Sequence, residues 1–150
     1  MEFLIMNKQE PVNAVDYVRH LLTIHPECAI HVGCDSQNYQ KYTVYVTALV
    51  FRFPGNGGHV IYRKERVGKI HDLWTKLWGE AERSIQLAEL LREQLNVRVK
   101  QIELDYNAES RFASHKLLSA ASGYVQSLGY EVKAKPEMLV AAWAADVLCH

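Results

Sequence analysis

Residues 28–67 hold three strand-forming runs in close succession, and the links between them are too short for anything but tight returns. "CAIHVGC" (28–34) alternates as a half-buried strand does. "YTVYVTALVFRF" (42–53) is rich in β-branched and aromatic side chains, which pack well on a pleated surface. "HVIYRKERV" (59–67) alternates again after "PGNGG" (54–58), a strong turn signal. Parallel neighbours need a crossover of a dozen or more residues, so these three runs predict an antiparallel meander.

After residue 70 the pattern changes to alternating helix and strand. "HDLWTKLWGEAERSIQLAELLREQL" (71–95) is a long amphipathic helix, with Trp74, Leu77, Ala81, Ile85, Ala88, Leu91 and Leu95 on one stripe. "VRVKQIELD" (97–105) is a fourth strand, "RFASHKLLSAASGYVQSLG" (111–129) a helix stopped at Gly129, and "YEVKAK" (130–135) a short fifth strand. Pro136 opens a last helix through 150. Ahead of the meander, "PVNAVDYVRHLLTIH" (11–25) has helical spacing and makes 1–26 a helical extension. A strand–helix–strand unit is a right-handed crossover that pairs its strands in parallel. The expected architecture is α/β: a five-stranded mixed sheet, a meander of three plus two parallel strands, flanked by helices in one domain spanning 1–150.

Composition limits the partners. Lys plus Arg and Asp plus Glu number 17 each, so no bulk charge draws the chain to nucleic acid or to a membrane. Contact with phosphates then requires a local basic patch or metal ions. The three cysteines, Cys28, Cys34 and Cys149, have no paired spacing and argue against a disulfide framework or a zinc ribbon. A reducing cytoplasm is the default compartment for such a chain. No apolar stretch approaches the roughly 20 residues of a membrane span, and the short apolar run in "MEFLIMNKQEP" lacks the basic leader of a signal peptide.

Two strands run into aspartates. Asp35 follows "CAIHVGC" and Asp105 ends "VRVKQIELD". If those strands are parallel neighbours, both carboxylates lie at one sheet edge, the edge where open α/β sheets bind ligands. Two carboxylates there repel unless a positive charge lies between them. Carboxylate oxygens suit hard divalent cations, which makes Mg²⁺ or Mn²⁺ the natural partner. The plainer alternative for Asp35 is an aspartate capping a turn, since Ser36, Gln37 and Asn38 all tolerate turns.

The order of elements resembles the ribonuclease H-like fold of ribonucleases H, transposases, integrases and Holliday-junction resolvases. Within it, "GCDSQ", "ERSI", "ELDYN" and "VKAKPEMLVAAWAAD" are similar to a bacterial ribonuclease H-like family whose pattern reads G-T-D-S-Q. The resemblance covers about residues 28–150. It implies four acidic positions: Asp35, an acid on the long helix, Asp105, and Asp146 on the last helix. It further implies a divalent-metal-dependent nuclease that holds two Mg²⁺ or Mn²⁺ ions between those carboxylates and needs no protein nucleophile. The "AAD" of the last helix is also similar to the end of junction resolvases, which carry a histidine three residues before the aspartate; Trp143 stands there in this chain.

Periodicity leaves the helix acid open. Taking Ala81, Ala88 and Leu95 as inward, Glu80 and Glu82 fall on opposite flanks at about 100° per residue; the placement of "ERSI" in the resemblance favours Glu82. Asp146 lies in a helix apolar nearly all round, so it is expected to be a buried charge in need of a cation, the alternatives being a lysine partner or the helix's one wet face. Ser36, Gln37, Arg111 and Lys135 are candidates for contacting substrate phosphate, with Lys116 and Lys133 in the same neighbourhood. His31, His71 and His115 lack ligand spacing and read as structural or surface residues, and His150 shares the helix face of Asp146. The expected partner is RNA or DNA and not a membrane, with the oligomeric state open and a homodimer among the options. A junction-resolvase-like endonuclease and a non-catalytic nucleic-acid-binding module are the competing readings.

Overall fold

The computed structural model describes residues 1–55, 57–106, 113–134 and 139–150. In chain order the elements are β1 (Glu2–Ile5), β2 (Pro11–Asn13), α1 (Ala14–Ile24), β3 (Ala29–Asn38), β4 (Tyr42–Arg52), β5 (Gly58–Gly68), α2 (Leu73–Leu95), β6 (Gln101–Leu104), α3 (Ala113–Ser127), β7 (Val132–Ala134) and α4 (Val140–Cys149). They form one mixed sheet with strand order β2-β1-β5-β4-β3-β6-β7. The meander is β3-β4-β5, all antiparallel. β6 adds to β3 in parallel and β7 adds to β6 in parallel, as the crossovers require.

The sheet has seven strands and not the expected five. The two extra ones come from the N-terminal segment, expected to be purely helical. β1 lies antiparallel to β5 through Leu4–Tyr62 and Ile5–Ile61, and β2 folds back on β1. Phe3 and Ile5 are buried, so the short apolar run is a strand of the sheet, with β2 outside it as the edge. The first helix starts after Asn13, whose side chain accepts from the Asp16 N–H at 3.1 Å; Pro11 is in a strand, two residues before that cap. Local spacing does not reveal strands of three or four residues, and the pairing that joins them to the sheet, β1 with β5, spans more than fifty residues.

Strand parity sorts the sheet into two faces. Ile30 and Val32 of β3, with Leu49, Phe51 and Ile61, join α1, α2 and α3 in one core. Val44, Val46, Ala48 and Val50 of β4 pack against α4 in another. β4 is therefore buried on both sides, which explains its nearly unbroken apolar run. On β3 the same alternation sends His31, Gly33 and Asp35 toward α4, and Cys34 and Ser36 toward α2.

Two glycines mark close approaches. Gly79 sits in α2 where a Cβ would come within 2.5 Å of the Tyr45 hydroxyl, which donates to the Lys76 carbonyl at 2.8 Å. Gly33 lies under the start of α4, where a Cβ would stand 2.6 Å from the Ala142 nitrogen. Helix and strand backbones thus meet directly. At the other end of α4, the Tyr39 hydroxyl donates to the Cys149 carbonyl at 2.6 Å.

Candidate active site

β3 continues three residues beyond Asp35, to Asn38, because β4 pairs with it that far, Asn38 opposite Thr43. The expectation of a strand ending at Asp35 is corrected on that side. On the other side the ladder with β6 stops at Gly33 opposite Glu103. Two residues further along each strand, Asp35 and Asp105 occupy the same register position at the open end of the parallel pair. This is the shared sheet edge that the sequence predicts.

A cleft of about 370 Å³ opens there, lined by Asp35, Ser36, Gln37, Leu73, Lys76, Leu77, Glu80, Asp105, Asp146 and His150. Four carboxylates reach it from four elements: β3, α2, the end of β6, and α4. Asp35 points to the α4 side and meets Asp146; the next residue, Ser36, points to the α2 side and meets Glu80. The cleft therefore wraps around the end of the sheet, and adjacent residues of one strand serve its two walls.

The acid on α2 is Glu80, not Glu82. Glu80 is 3% exposed and lines the cleft, whereas Glu82 is exposed and does not. A signal for this is present in the sequence. The helical row through Glu80 continues as Ser84, Leu87 and Leu91, all buried; the row through Glu82 continues as Gln86, Glu89 and Glu93, a solvated face. The inward stripe is centred nearer Glu80 than the choice of Ala81, Ala88 and Leu95 implied.

Asp146 is also corrected in one respect. Its side chain is 51% exposed and lies within 3.2 Å of His150, so it stands at the cleft mouth and not in the core. α4 buries Ala141, Ala142, Ala144, Ala145 and Cys149, and leaves Trp143, Asp146 and Val147 outside. Arg111 and Lys135 fall outside the described residues. Lys116 is exposed on α3, Lys133 lies on β7 with an ion pair to Glu131 at 3.0 Å, and neither lines the cleft. His71 and His115 are surface residues, as expected, and His31 is a buried structural one. Lys76, which the sequence did not single out, lines the cleft one helical turn before Glu80, its Nζ 3.4 Å from the Ser36 carbonyl.

The electrostatics follow from crowding acids in a partly dry cleft. Burial, together with a hydrogen bond to Asp146, pushes the Asp35 carboxyl up to about 7, although the Ser36 N–H donates to its Oδ1 at 2.8 Å and pulls the other way. Burial and the charge of Asp35 hold Glu80 well above the usual carboxylate range, against the opposing pull of the Ser36 hydroxyl, which donates to it, and of Lys76. The Asp35–Asp146 hydrogen bond exists only while one of the two is protonated. A proton thus does the neutralising that a cation would otherwise do. Among the described residues, no three acidic, histidine or cysteine side chains already converge as a ready-made ligand set. The donor set is nonetheless all hard oxygen, the chemistry that Mg²⁺ and Mn²⁺ select.

A second cleft, about 510 Å³, lies at the opposite end of β3, lined by His31, Arg52, Lys100, Gln101 and Lys133 among others. Among the described residues Glu27 is the one carboxylate on its lining, against four in the first cleft.

A family model described as ribonuclease H-like matches residues 15–149 of the chain. The protein belongs to the ribonuclease H-like family. The match leaves out only the final residue and residues 1–14, which hold β1, β2 and the first residue of α1, and so takes in every element that carries a cleft carboxylate. No curated protein and no solved structure matches the chain. This ribonuclease H-like protein thus has a nuclease-type fold, and its mixed sheet presents the acids at the edge where α/β sheets place ligands. None of the described helices is long and apolar enough to cross a membrane.

Proposed function

We propose that the cleft hydrolyses phosphodiester bonds of a nucleic acid, with Asp35, Glu80, Asp105 and Asp146 holding two divalent cations, Mg²⁺ or Mn²⁺. The observation that carries this is the gathering of four carboxylates from four separate elements in one cleft. Such a cluster costs stability, because the crowded acids disfavour ionisation of Asp35 and Glu80. A fold that needed only packing would gain by losing some of them. Membership in the ribonuclease H-like family supports the same reading.

Bound between these acids, hard divalent ions supply Lewis-acid activation of water and stabilisation of a leaving oxygen. The protein supplies the arrangement. Ser36 fixes both walls, its N–H on Asp35 and its hydroxyl on Glu80. Lys76 puts a positive charge in the cleft where a phosphate would lie, and the half-buried Gln37 can donate to a phosphate oxygen. Trp143 is 62% exposed and is absent from the cleft lining, so no observation favours the junction-resolvase reading over a general nuclease.

The test is a cleavage assay on RNA–DNA hybrid, RNA, single-stranded DNA and a branched junction, with Mg²⁺ or Mn²⁺ and an EDTA control. Metal-dependent cleavage of at least one substrate, abolished by Asp35→Asn, is the expected result. Metal binding without cleavage of any of them would leave a nucleic-acid-binding module instead.

A further inference from the structure

We propose that Glu103, outside the cleft, is the positioning residue that sets where α4 presents Asp146 to Asp35; this rests on the metal-site reading above. The Glu103 side chain is fully buried between β3, β6 and the start of α4. The first helical N–H groups lack intrahelical acceptors. Leu139, the residue ahead of α4, offers no side-chain cap. Glu103 takes that part from the neighbouring strand: its Oε1 accepts from the Ala141 N–H at 2.7 Å and from the Ala142 N–H at 3.0 Å. Its Oε2 accepts from the Gln101 amide at 2.9 Å and meets His31 Nδ1 at 3.0 Å.

The rest of the contact makes the helix position depend on the length of this side chain. Glu103 pairs with Gly33 across the parallel ladder, and Gly33 has no Cβ between β3 and the helix backbone. The start of α4 is therefore clamped between a bare strand backbone and a carboxylate of fixed reach. Asp146 lies four residues after Ala142, about one turn further along the helix. A shift of the first turn is carried to Asp146 by a rigid helix. Cation ligands tolerate little displacement, and residues that orient them from outside typically change metal affinity 10–100-fold when altered.

Two variants separate reach from charge. Glu103→Asp keeps the charge and shortens the arm by one methylene; Glu103→Gln keeps the arm and loses the charge. The expected result, by calorimetric Mn²⁺ titration of the whole chain, is a tenfold or greater loss of affinity in E103D and a change within about threefold in E103Q. E103D combined with Asp146→Asn should bind no more weakly than Asp146→Asn alone, since both act through one carboxylate. The proposal is overturned if E103D binds Mn²⁺ like the wild type while its melting temperature falls, or if E103Q loses as much affinity as E103D. Should E103D not fold, E103Q decides: affinity within threefold supports the positioning role, and a tenfold loss overturns it. If the wild type itself binds no Mn²⁺, the metal reading fails, and a crystal structure of metal-free E103D decides the positioning role. A displaced Asp146 supports it there, and an unmoved one overturns it.

Discussion

Single side chains decide which acids belong to the cleft. Asp35 and Asp105 were legible in the sequence because strand order and parity place them, and both are properties of local pattern. Glu80 was less legible, because a choice between two flanks of one helix depends on where the buried stripe is centred. The residues that share each row settle it: Ser84, Leu87 and Leu91 on one side, Gln86, Glu89 and Glu93 on the other. Glu80→Gln should lower metal-dependent cleavage by about 100-fold or more, the scale of losing one preorganised charge-stabilising group. Glu82→Gln should cleave within about twofold of the wild type in the same assay. A loss in both would mean that the helix turns its other flank to the cleft in solution. Asp146→Asn addresses the exposed member. It removes a like charge from beside Asp35 and keeps the shape, so its melting temperature in EDTA should equal or exceed that of the wild type. Its cleavage in Mn²⁺ should fall by a similar factor, and unfolding would instead mark Asp146 as a structural ion-pair partner of His150.

Among the elements, α4 shows best what the sequence concealed. Its apolar character predicted a buried helix, and five of its residues are buried. It did not predict that the helix would rest on a strand backbone, because that depends on a glycine and a carboxylate distant in sequence. Gly33 in "GCDSQ" makes the contact possible, and Glu103 holds it. Gly33→Ala should therefore push α4 off the sheet, since its Cβ would lie 2.6 Å from the Ala142 nitrogen and 2.8 Å from the Ala141 carbonyl carbon. Neither neighbour is the end of a flexible side chain. Forced overpacking of this kind costs about 1–3 kcal/mol, or a fall of several degrees in melting temperature for a chain of this size. Thermal unfolding followed by circular dichroism measures it, and an unchanged midpoint would show that helix and strand separate without cost. The short strands β1 and β2 were hidden for a related reason: β1 joins the sheet through the remote β5, and three or four residues carry too little periodicity to declare themselves.

At the scale of the whole molecule, a chain with balanced charge gathers four of its 17 acids in one cleft at the end of the sheet, and this makes its stability depend on pH and on cations together. Asp35 has its carboxyl raised to about 7, and Glu80 is displaced in the same direction. In the unfolded chain both acids titrate near 4. Between those values the folded protein keeps protons that the unfolded chain has released. Stability then falls as pH rises, because the folded state binds more protons. The loss begins above the ordinary carboxylate pKa, and the Asp35 contribution is complete once pH has passed about 7. Cations act oppositely: they bind the ionised acids and stabilise only the folded state, by mass action. The metal-free protein should accordingly melt at a higher temperature at pH 5 than at pH 8. Asp35→Asn should flatten that slope. Millimolar Mn²⁺ should raise the melting temperature clearly at pH 8 and little at pH 5, where protons still occupy Asp35 and Glu80. Scanning calorimetry at the two pH values, with EDTA or Mn²⁺, gives the four midpoints needed. Equal metal shifts at both pH values would mean that the cation binds somewhere other than these carboxylates, and a metal-free slope that persists in Asp35→Asn would mean that other groups set the pH dependence.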